Sequence, residues 1–175
     1  MIEEILAEVS ASAGVPVHEA ARLSAPALIF SDDLLKSCEA NACGKYNKSW
    51  TCPPACDPQE QRKKILSYKN VFVFTTKHEL EDSFDYEGMT RGRELHALLT
   101  MELKKRLGDD FPVYGAGSCP VCRECAFPEP CLFPEKKIGS IEAALINVTE
   151  LSKAACISYN NGPDTVTFFS MVLCA

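Results

Sequence analysis

The chain has 175 residues, of which 46% are hydrophobic, so it can bury a core, and we expect one domain over residues 1–175. Its formal net charge of −6 argues against a nucleic-acid-binding protein, because phosphate contacts need clustered Lys and Arg. No apolar run reaches membrane-spanning length, and residues 1–6 lack the basic and apolar regions of a secretory signal, so we expect a cytoplasmic location without membrane association.

Apolar periodicity predicts helices and strands that alternate along the chain. In chain order, the predicted elements are a helix over 2–9, a strand over 27–30, a helix over 58–68, a strand over 71–75, a helix over 88–107, a strand over 111–114, a helix over 141–151 capped by Ser140, and a strand over 165–173. This alternation predicts an α/β (or α+β) fold, with a mixed sheet of about four strands flanked by helices. Because the cysteine-rich loops follow predicted strand ends, we expect them to gather at one edge of the sheet.

The cysteines are the most informative residues of the sequence. There are ten, at positions Cys38, Cys43, Cys52, Cys56, Cys119, Cys122, Cys125, Cys131, Cys156 and Cys174. In a reducing compartment such a density indicates metal binding or catalysis rather than disulfides. Eight of them fall in two short groups, 38–56 and 119–131, whereas buried structural cysteines would be scattered through the core pattern.

The second group has the spacing C-x2-C-x2-C-x5-C, formed by Cys119, Cys122, Cys125 and Cys131. Three thiolates at this close spacing can hold three corners of a cubane cluster, and bacterial ferredoxins use a related pattern. Structural zinc is the alternative, but zinc favours two separated cysteine pairs, and a third nearby cysteine crowds that geometry. We therefore predict a [4Fe–4S] cluster on these four residues.

The first group is less regular and consists of Cys38, Cys43, Cys52 and Cys56. Pro53 and Pro54 follow Cys52 directly and present its thiolate on a rigid, non-helical backbone. This group could bind a second cluster, complete a site with the other group, or hold a three-cysteine cluster whose open iron acts as a Lewis acid. Trp50 and Tyr46 could cover a metal centre or be ordinary core aromatics. No role is assigned to Cys56.

Three segments that contain or flank the cysteines carry a family resemblance. They are Cys38…Cys43-Gly44-Lys45-Tyr46…Trp50-Thr51-Cys52-Pro53-Pro54, then Gly117-Ser118-Cys119-Pro120-Val121-Cys122-Arg123-Glu124-Cys125, and finally Cys131…Pro134…Ser140-Ile141-Glu142-Ala143. Together they resemble a family of small prokaryotic proteins called predicted metal-binding proteins, a domain of unknown function. The resemblance implies metal ligands among Cys38, Cys43, Cys52, Cys119, Cys122, Cys125 and Cys131, and it implies no particular reaction.

Other polar residues carry weaker signals. The three histidines form no ligand motif and are expected at the surface or its boundary: His18, His78 and His96. Arg91 and Arg93 could meet an anion but are expected on a solvated helix face, and Glu142 is expected near a helix start. Cys156 and Cys174 stand alone among apolar residues, so we expect both to be small core side chains.

Three functions remain open at this point. The first is electron transfer or redox chemistry with a partner protein, supported by one [4Fe–4S] cluster or by two. The second is an enzyme that binds a small molecule at an open-site cluster, with unknown catalytic residues. The third is a zinc-stabilised binding module without redox activity.

Overall fold

The computed structural model describes residues 1–175 and contains five α-helices and one mixed, open sheet of five strands. The helices are α1 (Ile2–Ala13), α2 (Asp33–Glu39), α3 (Pro58–Leu66), α4 (Tyr86–Leu107) and α5 (Val148–Ala155). The strands are β1 (Ala20–Ser24), β2 (Asn70–Glu79), β3 (Val113–Gly115), β4 (Gly139–Ser140) and β5 (Thr165–Cys174). Across the sheet the order is β1-β2-β5-β3-β4, and only the β3–β4 pair is parallel. The predicted α/β class is confirmed, with five strands rather than about four.

The two long central strands, β2 and β5, divide the core into two layers. Successive residues of a strand point to opposite faces, so Val71 and Val73 pack into one cluster while Phe72 and Phe74 pack into the other. The cluster around Phe72 contains 12 buried residues and is covered by α1 and α4. The opposite cluster contains 16 buried residues, contributed partly by α3 and α5. Both strands are therefore buried on both faces, which explains their nearly continuous apolar sequence.

Local capping fixes where three of the helices begin. The Asp57 and Asp85 carboxylates accept hydrogen bonds from the backbone N–H groups of Gln59 and Gly88, at the starts of α3 and α4. Asn147 does the same for α5 with two N–H groups. The last turn of α4 carries three cationic residues, Lys104, Lys105 and Arg106, where the helix dipole favours positive charge.

Two predicted elements are wrong. Residues 25–27 form a 3₁₀ turn that begins around Pro26, and of the expected 27–30 strand only Phe30 makes an isolated bridge, to Ile146. The true edge strand is β1, which lies just before this turn. The helix expected over 141–151 starts only at residue 148, because Leu145 adopts a left-handed backbone conformation and Asn147 provides the cap.

The parallel pair β3–β4 directs two site-bearing segments to the same end of the sheet. Chain direction is the same in both strands, so the residues after Gly115 and those after Ser140 leave from neighbouring positions. The first of these segments runs directly into the 119–131 cysteine group. No helix of the structure combines the length and apolarity that crossing a bilayer requires.

Candidate metal centre

All ten cysteines are free thiols, and seven of them line two separate cavities. The four-cysteine cavity is lined by Cys119, Cys122, Cys125 and Cys131. The three-cysteine cavity is lined by Cys38, Cys43 and Cys52. The predicted ligands thus line two different cavities, and the cysteines at each cavity come from a single sequence group.

Residues 49–51, just before Cys52, support the wall of the four-cysteine cavity. The Thr51 hydroxyl accepts a 3.0 Å hydrogen bond from the backbone N–H of Cys119, and Ser49 contacts Thr51 at 3.2 Å between the two side-chain oxygens. Trp50 donates its indole N–H to the carbonyl oxygen of Glu129 at 2.8 Å. The Trp50 ring also packs edge-on against Phe127, with ring centroids 5.0 Å apart. A segment from the first cysteine group therefore holds the loop of the second.

Hydrogen bonds to sulfur favour the thiolate form of Cys125 in the four-cysteine cavity. Burial would raise the pKa of Cys125, but donors outweigh it and lower the pKa below the usual value: the backbone N–H groups of Phe127 and Trp50 and the Ser49 hydroxyl. Burial raises the pKa of Cys119, and two backbone N–H groups partly offset that effect. Thiolates are the form that binds metal, and such donors orient and tune metal-bound sulfur.

The wall of the four-cysteine cavity is mostly apolar. Nine of its 12 lining residues are hydrophobic, and among them are Trp50, Val121 and Phe133. Leu132 and Phe133 are also exposed on the outside of the protein, by 65% and 40%. The four cysteines are thus half-buried in a mostly apolar wall close to the molecular surface.

The three-cysteine cavity is larger and more polar, with a volume of about 280 Å³. Cys38 lies on α2, and Cys52 is buried while Cys43 is exposed. Burial is the main cause that raises the pKa of Cys38 and of Cys52, and Cys43 raises each pKa further, while hydrogen bonds from Ser49 and Thr51 partly offset the shift of Cys52. Burial therefore disfavours the thiolate form of both side chains.

Two charged residues face the same three thiols. Arg93 of α4 is exposed, as predicted, and forms no ion pair. It also lines this cavity, which the sequence did not predict. Glu142 accepts hydrogen bonds from the Gly117 backbone N–H at 2.9 Å and from the Ser140 hydroxyl at 3.1 Å. Glu142 therefore joins the segments that follow β3 and β4, and it does not begin a helix.

A model of the family described as Predicted metal-binding protein (DUF2284) matches residues 21–174 of this chain. The chain belongs to this family. Comparison with curated proteins and with solved structures gives no match. The matched region contains all ten cysteines, and its family description indicates metal binding.

The donor set of this DUF2284 protein fits a thiolate-bound metal. Cysteine thiolates are soft ligands that suit iron–sulfur clusters and zinc, whereas Mg²⁺ and Ca²⁺ require oxygen ligands. No group of three or more His, Cys, Asp or Glu side chains in the structure is arranged closely enough to hold a single metal ion.

The remaining cysteines lie away from both thiol cavities. Cys56 lines a third cavity, and burial raises its pKa to about 11. Cys174 is buried, as predicted for a core residue. The same prediction is wrong for Cys156, which is exposed at the left-handed end of α5. Cys156 ends α5 in a left-handed backbone conformation, a common way for a helix to terminate. The apolar neighbours of Cys156 in the sequence did not predict this helix end.

One histidine also departs from expectation. His96 is only 2% exposed and lies in the core against Phe74, so its predicted boundary position is wrong. His18 is exposed and His78 half-buried, as predicted. None of the three lines either thiol cavity.

The sequence analysis assigned no site role to most of the residues other than cysteine that line these two cavities. Ser49, Thr51 and Lys137 line the four-cysteine cavity, and Ser118 and Ser140 line the other. Ser49 and Thr51 had a usable signal, because they directly precede Cys52 in the chain. Lys137 carried no such signal, since its position depends on the path of the loop after Cys131.

Proposed function

We propose that this protein binds a [4Fe–4S] cluster through Cys119, Cys122, Cys125 and Cys131 and transfers electrons in a reducing cytoplasm. The observation that carries the proposal is that these four cysteines, spaced C-x2-C-x2-C-x5-C, line one mostly apolar cavity. A bound cluster of this type supplies one-electron redox chemistry.

The protein's own groups would set the properties of the site. The N–H and hydroxyl donors around Cys125 stabilise negative charge on sulfur, which favours the reduced state. Trp50 and Val121 exclude water, which favours the state of lower charge. The measured reduction potential will report the balance of these two effects.

A redox partner protein is part of the proposal. Electron transfer falls off steeply with distance, so a useful site must lie near the surface. Leu132 and Phe133 line the four-cysteine cavity and are exposed, which places an apolar contact surface next to the thiols. A partner that covers these two side chains would approach the site closely.

The proposal is tested with single cysteine variants purified without oxygen. Cys119→Ser and Cys125→Ser should lose the visible absorbance and the electron paramagnetic resonance signal of a reduced [4Fe–4S] cluster. Cys56→Ser is the matched control, because Cys56 is also half-buried but lines neither thiol cavity. Full retention of the signal in Cys119→Ser and Cys125→Ser would refute this ligand assignment.

An enzyme with an open-site cluster is the second candidate, and the composition of the three-cysteine cavity favours it. Three thiols leave one iron of a cubane without a thiolate ligand, and that iron can bind a small molecule. Arg93 offers a cation for a carboxylate or phosphate group of such a molecule, and the Ser118 hydroxyl offers a hydrogen bond.

This second candidate predicts a change in spectrum on ligand addition. A panel of small carboxylates and phosphates should shift the spectrum of the wild-type protein, and Arg93→Gln should weaken that response without changing the ligand-free spectrum. Arg91→Gln is the matched control, because Arg91 is exposed on the same helix and does not line the cavity. If no compound of the panel changes the spectrum, the open-site assignment fails.

Structural zinc remains the competing occupant of the four-cysteine cavity. A zinc-stabilised module would unfold when the metal is removed, because binding free energy then contributes directly to folding. Zinc-loaded protein would also be colourless and have no redox signal. Chelation followed by circular dichroism, together with metal analysis, separates this alternative from the cluster.

A further inference from the structure

A third cavity lies beside the four-cysteine cavity and is lined by three lysines; we call it the lysine cavity. Its volume is about 180 Å³, larger than a cavity of about 150 Å³ that accepts benzene in another protein. Lys64 comes from α3, Lys104 from α4 and Lys137 from the loop before β4. Three separate elements therefore direct positive charge into one space.

The charges of the lysine cavity are only partly balanced. Lys104 is buried and donates to the Asp109 carboxylate at 2.9 Å and to the Gly108 carbonyl at 2.8 Å. Lys64 and Lys137 are more exposed than Lys104, and neither forms an ion pair with a carboxylate. The cavity thus carries three cations and one carboxylate on a protein whose formal charge is −6.

The lysines repel one another at this site. The pKa of Lys64 is lowered, first by burial and then by the positive charges of Lys137 and Lys104. Like charges brought together in a partly closed space favour a bound anion, which relieves both the repulsion and the desolvation.

A neutral donor completes the wall. Gln61 accepts a 2.8 Å hydrogen bond from the Tyr114 hydroxyl through its side-chain oxygen, which fixes the orientation of the amide group. Its side-chain nitrogen makes no hydrogen bond within the protein and can donate to a ligand oxygen.

We propose that the lysine cavity binds a small dianionic oxyanion of the phosphate type through Lys64, Lys137 and Gln61. Two unpaired lysines match a charge of two, and lysine is a common phosphate-binding residue. Trp50, Thr51 and Lys137 line both this cavity and the four-cysteine cavity, so the bound anion lies next to the thiols. The inference does not depend on which metal those thiols hold.

The test is a titration of the intact protein with inorganic phosphate at constant ionic strength, followed by calorimetry or by amide chemical shifts. Wild-type protein should bind one phosphate saturably, and Lys64→Gln or Lys137→Gln should each weaken binding about tenfold or more. Lys63→Gln is the matched control, because it removes the same charge from the adjacent residue, which pairs with Glu60 at 2.7 Å outside the cavity. Absence of saturable binding, or equal weakening by Lys63→Gln, would overturn the proposal.

A measurement on unmutated protein covers the case in which a variant fails to fold. Limited lysine acetylation with mass spectrometry should show phosphate protecting Lys64 and Lys137 while Lys63 stays reactive. Uniform protection of the three lysines would indicate only a general salt effect and would contradict the site. Because phosphate binding is read without any redox signal, its failure is distinguishable from failure of the cluster proposal.

Discussion

His96 lies in the core between α4 and the sheet, and both of its ring nitrogens contact hydroxyl groups. Nδ1 lies 2.9 Å from the Thr76 hydroxyl and Nε2 lies 2.8 Å from the Ser170 hydroxyl. Burial is the main cause that lowers the pKa of His96 from 6.5 to about 4; a backbone hydrogen bond at Phe169 opposes this shift, and the nearby His78 adds a smaller lowering effect. A Phe168 ring, with its centroid 5.9 Å from that of His96, adds to the apolar surroundings.

This shift makes stability depend on pH in a defined direction. Above the unfolded-state pKa of 6.5 the imidazole is neutral in both states and has no effect. As the pH falls from 6.5 towards 4, the unfolded chain binds a proton that the folded protein resists, so stability falls. The complete shift corresponds to about 3 kcal/mol, and about 2 kcal/mol of this should be lost at about pH 5.

Urea unfolding of wild-type protein and of His96→Gln, at about pH 8 and about pH 5, measures this contribution. Glutamine keeps a donor and an acceptor but does not titrate, so the variant should lose about 2 kcal/mol less than wild type between the two pH values. The variant is expected to be less stable at both pH values, because glutamine replaces an aromatic ring in the core. His18→Gln controls for loss of an exposed imidazole. Equal losses in wild type and His96→Gln would refute the reasoning.

Three further predictions concern the framework around the sites. Asn147→Ala removes the cap of α5 and should lower the free energy of unfolding by about 1 kcal/mol, measured in urea; no loss would contradict the capping role. Gly92→Ala places a methyl group 2.8 Å from Cγ of His78 and should lower the melting temperature despite better helix propensity, whereas a higher melting temperature would show that the ring moves freely. Iodoacetamide should modify the exposed Cys156 in native protein and the buried Cys174 only after unfolding, as checked by mass spectrometry; early labelling of Cys174 would disprove its burial.

The sequence predicts best those elements whose apolar pattern is long. Val71 to Thr75 forms the buried part of β2, and Leu99, Leu103 and Leu107 of the predicted helix are buried in α4. These patterns succeed because each element meets a core along most of its length. Leu95 has the same four-residue spacing in α4 but is 43% exposed, so this spacing predicts the helix better than it predicts which residues are buried.

Short elements fail because tertiary contacts decide them. β1 has five residues and only Leu23 is buried, so its pairing with β2 leaves almost no pattern in the sequence. Ile141, Ala144 and Leu145 follow a helical spacing, yet they are buried within a turn that ends in a left-handed residue. An apolar spacing of three and four residues is compatible with either structure over so few positions.

The candidate site was likewise predictable in part: the cysteine groups from their spacing, but not the residues that tertiary packing adds. Spacing alone separated the cysteines into two groups, and the structure places the ligand candidates of each group at a different cavity. Arg93 lines the three-cysteine cavity because of how α4 packs, and no local sequence pattern predicts that packing. The gathering of the cysteine loops at one sheet edge stays a prediction.

The central claim is that thiolates hold an iron–sulfur cluster in the four-cysteine cavity, and elemental analysis tests it most directly. Protein purified and assayed without oxygen should contain about four iron and four acid-labile sulfide per chain for one [4Fe–4S] cluster, or about twice these amounts for two, with little zinc. Colourless protein with stoichiometric zinc and no sulfide would contradict the claim.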